Sequence, residues 1–159
     1  YSLLLKIDIQ LPYLLQRTTN IQLKPICTKD TYVVRHPVLR SGLAVESCAF
    51  DRDDDTNTLH LGAFVCEKLV GVLTLLPNAT DVQLRGMAVL PEMQKLGIGF
   101  QLILEAEKCV MSMGISQLWM NARLAAILFY ERCGYQKQGD LFNLPYGGDH
   151  YKMIKHLCA

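Results

Sequence analysis

The chain has 159 residues, of which 50% are hydrophobic, and its 16 basic and 15 acidic residues leave a formal charge of +1. This length supports one ordinary domain with a real core, and the balanced charge argues against nucleic acid or an anionic membrane as a partner. The six cysteines form no CxxC pair and no Cys/His spacing typical of zinc. We therefore expect no metal site and a reduced protein in the cytoplasm.

The first 20 residues are unusual, because a stretch rich in Leu and Ile is interrupted by Lys6, Asp8 and Pro12. The stretch is too interrupted to span a bilayer and lacks the pattern of a secretory signal. We interpret residues 1–20 as an extension, either packed on the domain or disordered. A single domain is predicted over residues 21–159.

From residue 21 onward, the hydrophobic pattern alternates between the periods of strands and helices. It predicts a first strand at 21–27, followed by a helix from about 28 to 40 whose apolar face contains Val33, Val34, Val38 and Leu39. The later elements are strands at 58–66, 69–76 and 82–90, a helix at 97–113, a strand at 115–120, a helix at 125–133, and strands at 136–144 and 150–157, with a hairpin turn near Glu67-Lys68.

The strand at 82–90, the helix at 97–113 and the strand at 115–120 form one βαβ unit. Such a unit is expected to be a right-handed crossover between parallel strands. Open α/β sheets bind ligands at the carboxyl ends of their parallel strands. The loop after residue 90 is therefore the first place to look for a binding site.

That loop reads Gln-Lys-Leu-Gly-Ile-Gly over residues 94–99. The first turn of a helix leaves backbone N–H groups unpaired, and glycine lets a pyrophosphate approach them closely. The alternative is that Gly97 and Gly99 only permit tight packing of helix on strand. A dinucleotide-binding fingerprint would need a third glycine where Leu102 stands, and the Gly-Lys-Ser/Thr ending of a P-loop is absent.

Together, Leu84-Arg85-Gly86-Met87-Ala88-Val89-Leu90-Pro91 and the 94–99 loop resemble the central Q/R-x-x-G-x-G/A motif of the GNAT (Gcn5-related N-acetyltransferase) superfamily. A second segment, Asn121 to Tyr135, resembles the C-terminal motif of that family, in which an aromatic-Tyr pair precedes Gly-Phe/Tyr. The resemblance implies an α/β (α+β layered) fold. Its sheet would be mixed and largely antiparallel, with a central parallel βαβ unit splayed at the cofactor site and helices on both faces.

The resemblance also implies acetyl-coenzyme A as the cofactor and assigns site residues by position. Tyr130 would return a proton to the leaving thiolate, and the backbone N–H of Val89 would polarise the thioester carbonyl. The remaining positions would contact the cofactor: Met87, Ala88, Val89, Gln94, Lys95, Leu96, Gly97, Ile98, Gly99, Phe100, Asn121, Phe129 and Arg132.

The implied reaction moves an acetyl group from acetyl-CoA to a primary amine of a small molecule or peptide by direct attack. The alternative is a non-catalytic acyl-CoA-binding sensor, which would not need the phenol of Tyr130. Oligomeric state cannot be read from the chain, which leaves a homodimer open.

The residue that deprotonates the amine is not identified by the sequence. Candidates are Glu46, the Asp51 to Asp55 run, His60, Glu92 and His150. The acidic run itself is either a solvated loop or a rim that attracts a cationic amine.

Overall fold

The computed structural model describes residues 20–158, which form seven β-strands and three α-helices. In chain order the elements are β1 (Ile21–Ile26), α1 (Thr28–Leu39), β2 (Leu59–Val65), β3 (Lys68–Pro77), β4 (Val82–Val89), α2 (Ile98–Ser112), β5 (Gln117–Arg123), α3 (Ile127–Arg132), β6 (Gln136–Leu144) and β7 (Gly148–His156). Short 3₁₀ turns occupy Val45–Cys48, Pro91–Met93 and Leu124–Ala126. The predicted order of strands and helices is confirmed.

All the strands belong to one sheet in the order β1-β2-β3-β4-β5-β7-β6. Only β4 and β5 are parallel, and every other neighbouring pair is antiparallel. The last strand lies between β5 and β6, so it contacts both of them along its length. The mixed, largely antiparallel sheet with one central parallel pair is the fold class that the sequence predicted.

Helices cover both faces of the sheet, as expected. In β3, successive side chains point to opposite faces, so Thr74 and Gly71 lie on different sides. Thr74 accepts a hydrogen bond from Arg35 of α1, whereas a Cβ on Gly71 would lie 3.1 Å from Leu102 of α2. The core lies mainly between the sheet and the fully buried face of α2, which contains Leu102, Ile103, Ala106 and Val110.

The apolar face predicted for α1 is partly wrong. Val33 is 61% exposed, and the buried face consists of Thr31, Val34 and Arg35. Arg35 is buried because its guanidinium is 2.6 Å from the carboxylate of Asp53 and donates to Thr74. Periodicity in apolar residues gives no sign of a buried arginine whose partner lies far along the chain.

The interpretation of the acidic run at 51–55 as a solvated loop is wrong for Asp53. Its side chain is buried and pairs with both Arg35 and Arg85. Burial alone would raise the pKa of Asp53, but the hydrogen bonds from Arg35 and from the backbone N–H of Phe50 lower it below its usual value. Asp51, Asp54 and Asp55 are exposed.

Some predicted boundaries were wrong, because pairing between strands sets them. β5 was predicted at 115–120 but extends to Arg123, where it still pairs with β7. The hairpin turn is Cys66-Glu67, one residue earlier than predicted, with positive φ values of 49° and 65° that are typical of a type I′ turn. The helix predicted at 125–133 begins as a 3₁₀ turn and is α-helical only over Ile127–Arg132.

At its centre the sheet opens. β4 and β5 pair only at Val82 with Leu118 and at Gln83 with Trp119, so the rest of β4 has no neighbour on that side. On its other side, β4 contains a bulge opposite β3. Ala88 pairs with Val72 and Arg85 with Thr74, so three residue steps on β4 lie opposite two on β3. The splayed βαβ unit expected from the resemblance is therefore present.

Gly86 lies in this bulge and is expected to tolerate no side chain. Its φ is +60°, and a Cβ would lie 2.9 Å from Nε of Arg35 and 3.1 Å from the Phe50 ring. We expect Gly86→Ala to lower the free energy of unfolding by about 2–4 kcal/mol, combining left-handed strain with overpacking. Urea unfolding would measure the loss. Gly139→Ala is the matched control, since φ there is +80° and a Cβ would meet no atom within 4 Å. Equal losses in the two variants would contradict the proposed contact with Arg35 and Phe50.

The prediction of an extension at the N-terminus falls on residues 1–19, which lie outside the described residues. Within residues 20–158, no helix is both long and apolar enough to cross a bilayer. The predicted domain boundaries and cytoplasmic location stay predictions.

Candidate functional site

The unpaired edge of β4 directs backbone groups into the gap between β4 and β5. The N–H of Leu90 donates to Val70 of β3 at 2.9 Å. Because successive residues of a strand alternate in direction, the preceding N–H and C=O of Val89 face away from β3, toward the gap. The Val89 carbonyl accepts a hydrogen bond from Nε2 of Gln94 at 3.0 Å. The Val89 N–H is thus a fixed donor at the edge of the opening.

The loop after β4 leads into α2 with an open first turn. Gly97 is the N-cap residue in a left-handed conformation with φ +83°, and no side chain caps the helix. A Cβ on Gly97 would meet no atom within 4 Å, so nothing among residues 20–158 covers that position. Unpaired N–H groups at the positive end of a helix favour an anion. The geometry of this turn therefore fits a phosphate group.

Gly99 has a different role from Gly97. A Cβ on Gly99 would lie 3.2 Å from Cε of Met87 and 3.2 Å from Cζ of Phe129. Glycine here permits close packing of α2 against β4 and α3. Each of the two interpretations of the loop glycines therefore applies to one residue. Gly97 leaves the helix start open to a phosphate group, and Gly99 permits tight packing of helix on strand.

Tyr130 lies at the other side of the gap, on α3. Its ring is buried and packs edge-on against Phe129 and Tyr135, with centroid distances of 5.2 and 5.9 Å. Its hydroxyl lies 3.6 Å from the sulfur of Met87 on β4. Burial raises the pKa of Tyr130, so the phenol keeps its proton at neutral pH.

A pocket of about 530 Å³ occupies the splayed region. Its walls are the end of α1, the open stretches of β4 and β5, the segment leading into α3, and the adjoining ends of β6 and β7 at Leu144 and His150. Met87, Gln94, Asn121 and Tyr130 line it together. This volume suits a small molecule or the end of a peptide.

His150 also lines this pocket, and its tautomer is fixed. Its Nδ1 lies 2.7 Å from the carbonyl oxygen of Gly148, so Nδ1 must donate and, in the neutral ring, Nε2 holds the lone pair. The ring is buried and stacks on Phe142 at 5.9 Å. A Cβ on Gly147 would lie 2.5 Å from Cε1, so glycine there permits the close approach of the turn to the imidazole.

None of the other predicted base candidates lines the pocket. His60 is buried on α1's side of the sheet, where Nδ1 contacts Thr74 at 2.7 Å and Nε2 contacts the Asp53 carbonyl at 2.9 Å. Glu92 lies 3.5 Å from Lys68, and Glu46 is exposed. His150 is the candidate base that the fold brings to the gap.

The buried thiols Cys48 and Cys133 are not placed for nucleophilic chemistry. Neither lines the pocket, and burial raises the pKa of both. A thiol whose pKa is raised is a poor nucleophile near neutral pH. Both cysteines behave as small core residues.

Comparison with known proteins agrees with this geometry. A family model described as an acetyltransferase (GNAT) domain matches residues 59–137. The uncharacterized N-acetyltransferase YitI of Bacillus subtilis (strain 168) is 32% identical over 144 residues, which cover 86% of this chain and 97% of YitI. The chain belongs to the GNAT acetyltransferase family. It is accordingly an N-acetyltransferase, as the sequence resemblance predicted.

Solved structures share the same fold at low sequence identity. The ribosomal-protein-S18-alanine N-acetyltransferase from Escherichia coli superposes with a TM-score of 0.73 at 18% identity, covering 88% of this chain and 96% of that one. An aminoglycoside 6′-N-acetyltransferase complexed with coenzyme A has a TM-score of 0.71 at 15% identity, covering 87% and 98%. These likenesses concern the fold alone.

The residues predicted to form the site lie partly at the gap, partly in the core and partly on the surface. Those that the fold brings to the gap or its loop are Met87, Val89, Gln94, Gly97, Gly99, Asn121, Phe129 and Tyr130. Ala88 and Ile98 are buried in the core, so only their backbone groups can face a ligand. Lys95, Phe100 and Arg132 are exposed, and Leu96 is half-buried against the core. The role assigned to each remains a prediction.

Three arginines of the pocket were absent from the sequence-based site. Arg85 and Arg123 lie on strands, where alternation with the buried Leu84 and Ala122 could have placed them on a common face. Arg40 follows α1, and no local pattern links it to the other two. Its place depends on how α1 packs across the sheet.

Proposed function

We propose that this chain transfers an acetyl group from acetyl-CoA to a primary amine by direct attack. The observation that carries the proposal is the gap between β4 and β5. It has an uncapped helix start at its edge and a pocket containing both Tyr130 and His150. Proteins of the same fold have been crystallised with coenzyme A, including the aminoglycoside acetyltransferase and the PaiA N-acetyltransferase from Thermoplasma acidophilum.

The residues around the gap fit this cofactor. The open first turn of α2 at Gly97 suits the pyrophosphate, because backbone N–H groups and the helix dipole both favour negative charge. The edge of β4 at Val89 offers backbone groups to the pantetheine amides, much as a sheet edge accepts an added strand. Asn121, on the facing strand, supplies a further polar side chain. When bound, acetyl-CoA supplies the thioester that is attacked.

Two groups of the chain would move the protons of the reaction. The lone pair on Nε2 of His150 would accept the proton that the amine must lose. The phenol of Tyr130 would donate its proton to sulfur as the carbon–sulfur bond breaks. The Val89 N–H would meanwhile hydrogen-bond to the carbonyl oxygen, where negative charge develops.

Direct attack is favoured over transfer through the enzyme because none of the described residues lining the pocket is a cysteine. A non-catalytic sensor would need the helix start but neither a buried neutral phenol nor an oriented imidazole. The presence of both beside the gap therefore supports catalysis.

Substitution of Gly97 tests the cofactor site. The parent protein is expected to bind coenzyme A. It should also acetylate at least one primary amine, which frees the thiol of coenzyme A. Gly97→Glu places a negative charge beside the phosphates. At about 4 Å this repulsion is worth roughly 1–4 kcal/mol, which would weaken coenzyme A binding by roughly 5- to 1,000-fold. Calorimetric titration with coenzyme A measures the change.

Gly97→Gln is the matched control, because it carries the same backbone strain at φ +83° and nearly the same volume without the charge. Added salt should strengthen coenzyme A binding to Gly97→Glu relative to Gly97→Gln, because it screens the repulsion between the glutamate and the phosphates. If both variants bound coenzyme A as tightly as the parent, the phosphate site would lie elsewhere.

A further inference from the structure

The pocket between β4 and β5 is lined by basic side chains. Arg40 reaches it from the end of α1, Arg85 from β4 and Arg123 from β5. Across residues 20–158, no aspartate or glutamate side chain lines this pocket. The acidic run at 51–55, which the sequence offered as a rim for a cationic amine, does not line it either.

The positive charge of the pocket is not balanced by its surroundings. Arg85 lies 3.2 Å from Asp53, but the same carboxylate is 2.6 Å from Arg35 and is already engaged by it. Neither Arg40 nor Arg123 takes part in an ion pair among the described residues. The Arg40 guanidinium donates to the carbonyls of Leu39 and Ser47, which carry no net charge.

Two of the three pocket arginines, Arg40 and Arg85, are held in place by the Phe50 ring. The Phe50 ring lies 4.2, 4.8 and 5.6 Å from the guanidinium carbons of Arg35, Arg40 and Arg85. Arg40 is half-buried, and burial together with the charge of Arg123 lowers the pKa of its guanidinium. An unbalanced cluster of like charges in a pocket is typical of a binding site for the opposite charge.

The phosphates of the cofactor do not account for these arginines. Neither Gly97 nor Gly99 lines the pocket, whereas Tyr130 and His150 do. Arg40 and Arg123 therefore share the pocket with the two proton-transfer groups rather than with the phosphate-binding turn. Both also lie beside the turn between β6 and β7: Arg40 is 5.6 Å from the Tyr146 ring, and Nε of Arg123 would be 3.5 Å from a Cβ on Gly147.

We infer that the acceptor is a primary amine that also carries an oxyanion, either a carboxylate or a phosphate, which Arg40 and Arg123 bind. The inference rests on the proposed acetyl transfer and specifies its substrate class. With the oxyanion on the two guanidinium groups, the amine is directed toward His150 and the thioester. An amino acid or an aminoalkyl phosphate meets this requirement, whereas a polyamine does not.

The test compares acceptors of similar length and different charge. β-Alanine carries a carboxylate, O-phosphoethanolamine a phosphate, β-alaninamide no charge beyond its amine, and 1,3-diaminopropane a second cation. Values of kcat/KM are calculated for the free-base amine, so that differences in the protonated fraction of each amine do not enter. We expect one or both anionic acceptors to exceed the amide by roughly 10- to 100-fold, and the diamine to be the poorest. The comparison of carboxylate with phosphate identifies the oxyanion.

Variants then connect the preference to the arginines. Arg123→Gln and Arg40→Gln should each remove most of the preference for the anionic acceptor, measured in each variant as the ratio of kcat/KM for that acceptor to kcat/KM for β-alaninamide. Lys29→Gln, at the exposed beginning of α1, removes the same charge far from the pocket and should change nothing.

Equal use of the anionic acceptors and the amide, or a preference for the diamine, would overturn the inference while leaving acetyl transfer intact. If no amine released thiol, acetyl transfer itself would be wrong. Calorimetric titration of the cofactor-free parent and Arg123→Gln with β-alanine and with O-phosphoethanolamine would still decide the inference. Weaker binding in the variant supports it, and equal or absent binding in both proteins contradicts it.

Discussion

Replacing Tyr130 by phenylalanine is expected to lower kcat by roughly 10²–10⁴-fold, the usual contribution of a general acid. The ring contacts with Phe129 and Tyr135 should persist, and only the hydroxyl near the Met87 sulfur is lost. Coenzyme A affinity and stability should therefore change little. Steady-state thiol release and calorimetric titration with coenzyme A measure the two quantities separately.

The physical reason lies in the protonation state of Tyr130. Burial raises the pKa of its phenol, so a proton is present on the hydroxyl across the neutral range. The same burial disfavours a free thiolate, so departure of the sulfur requires a proton donor beside it. A phenylalanine leaves the sulfur without a donor from this side.

Tyr135→Phe is the matched control for Tyr130→Phe. Tyr135 is also a buried tyrosine next to Tyr130, but its hydroxyl donates to Glu107 at 3.0 Å and it does not line the pocket. Its loss should reduce stability and leave kcat nearly unchanged. If Tyr130→Phe weakened coenzyme A binding without lowering kcat, Tyr130 would serve only for packing. If product release limited the parent, single-turnover rates would show the loss that kcat hides.

Removal of the His150 imidazole is expected to lower kcat/KM by roughly 10²–10⁴-fold, as for loss of a general base. In His150→Asn the side-chain amide can still donate to the Gly148 carbonyl, while the lone pair of Nε2 is lost. Steady-state kinetics of the parent and the variant with one amine, calculated for its free base, measure the loss.

His150→Ala provides an independent test of the same role. It leaves a cavity next to Phe142 that added imidazole can enter, and a base that acts through Nε2 should be partly restored by it. His36→Ala, in α1 and outside the pocket, is the control and should retain activity without imidazole. Activity of His150→Asn close to that of the parent, together with no rescue of His150→Ala by imidazole, would show that His150 only supports the turn.

Local patterns in the sequence contain much of the fold and of the cofactor site. Strand periodicity gives way to helical periodicity at Gly97, and a glycine at that junction is the residue that a left-handed N-cap requires. The Phe129-Tyr130 pair is placed by the short helix and by Gly134, which follows it with φ +92°. These features depend on residues near one another in the chain, so the sequence alone predicted them.

The acceptor side of the site was decided by the tertiary structure. Arg40, Arg85, Arg123 and His150 come from four separate elements, and they meet only because α1 crosses the sheet and β7 inserts between β5 and β6. The same packing buries Asp53 against Arg35 and leaves its acidic neighbours exposed. A charge in a sequence does not reveal whether a distant partner will neutralise it. That is why the sequence identified the acetyl-transfer chemistry, whereas the charge of the acceptor pocket emerged only from the packed structure.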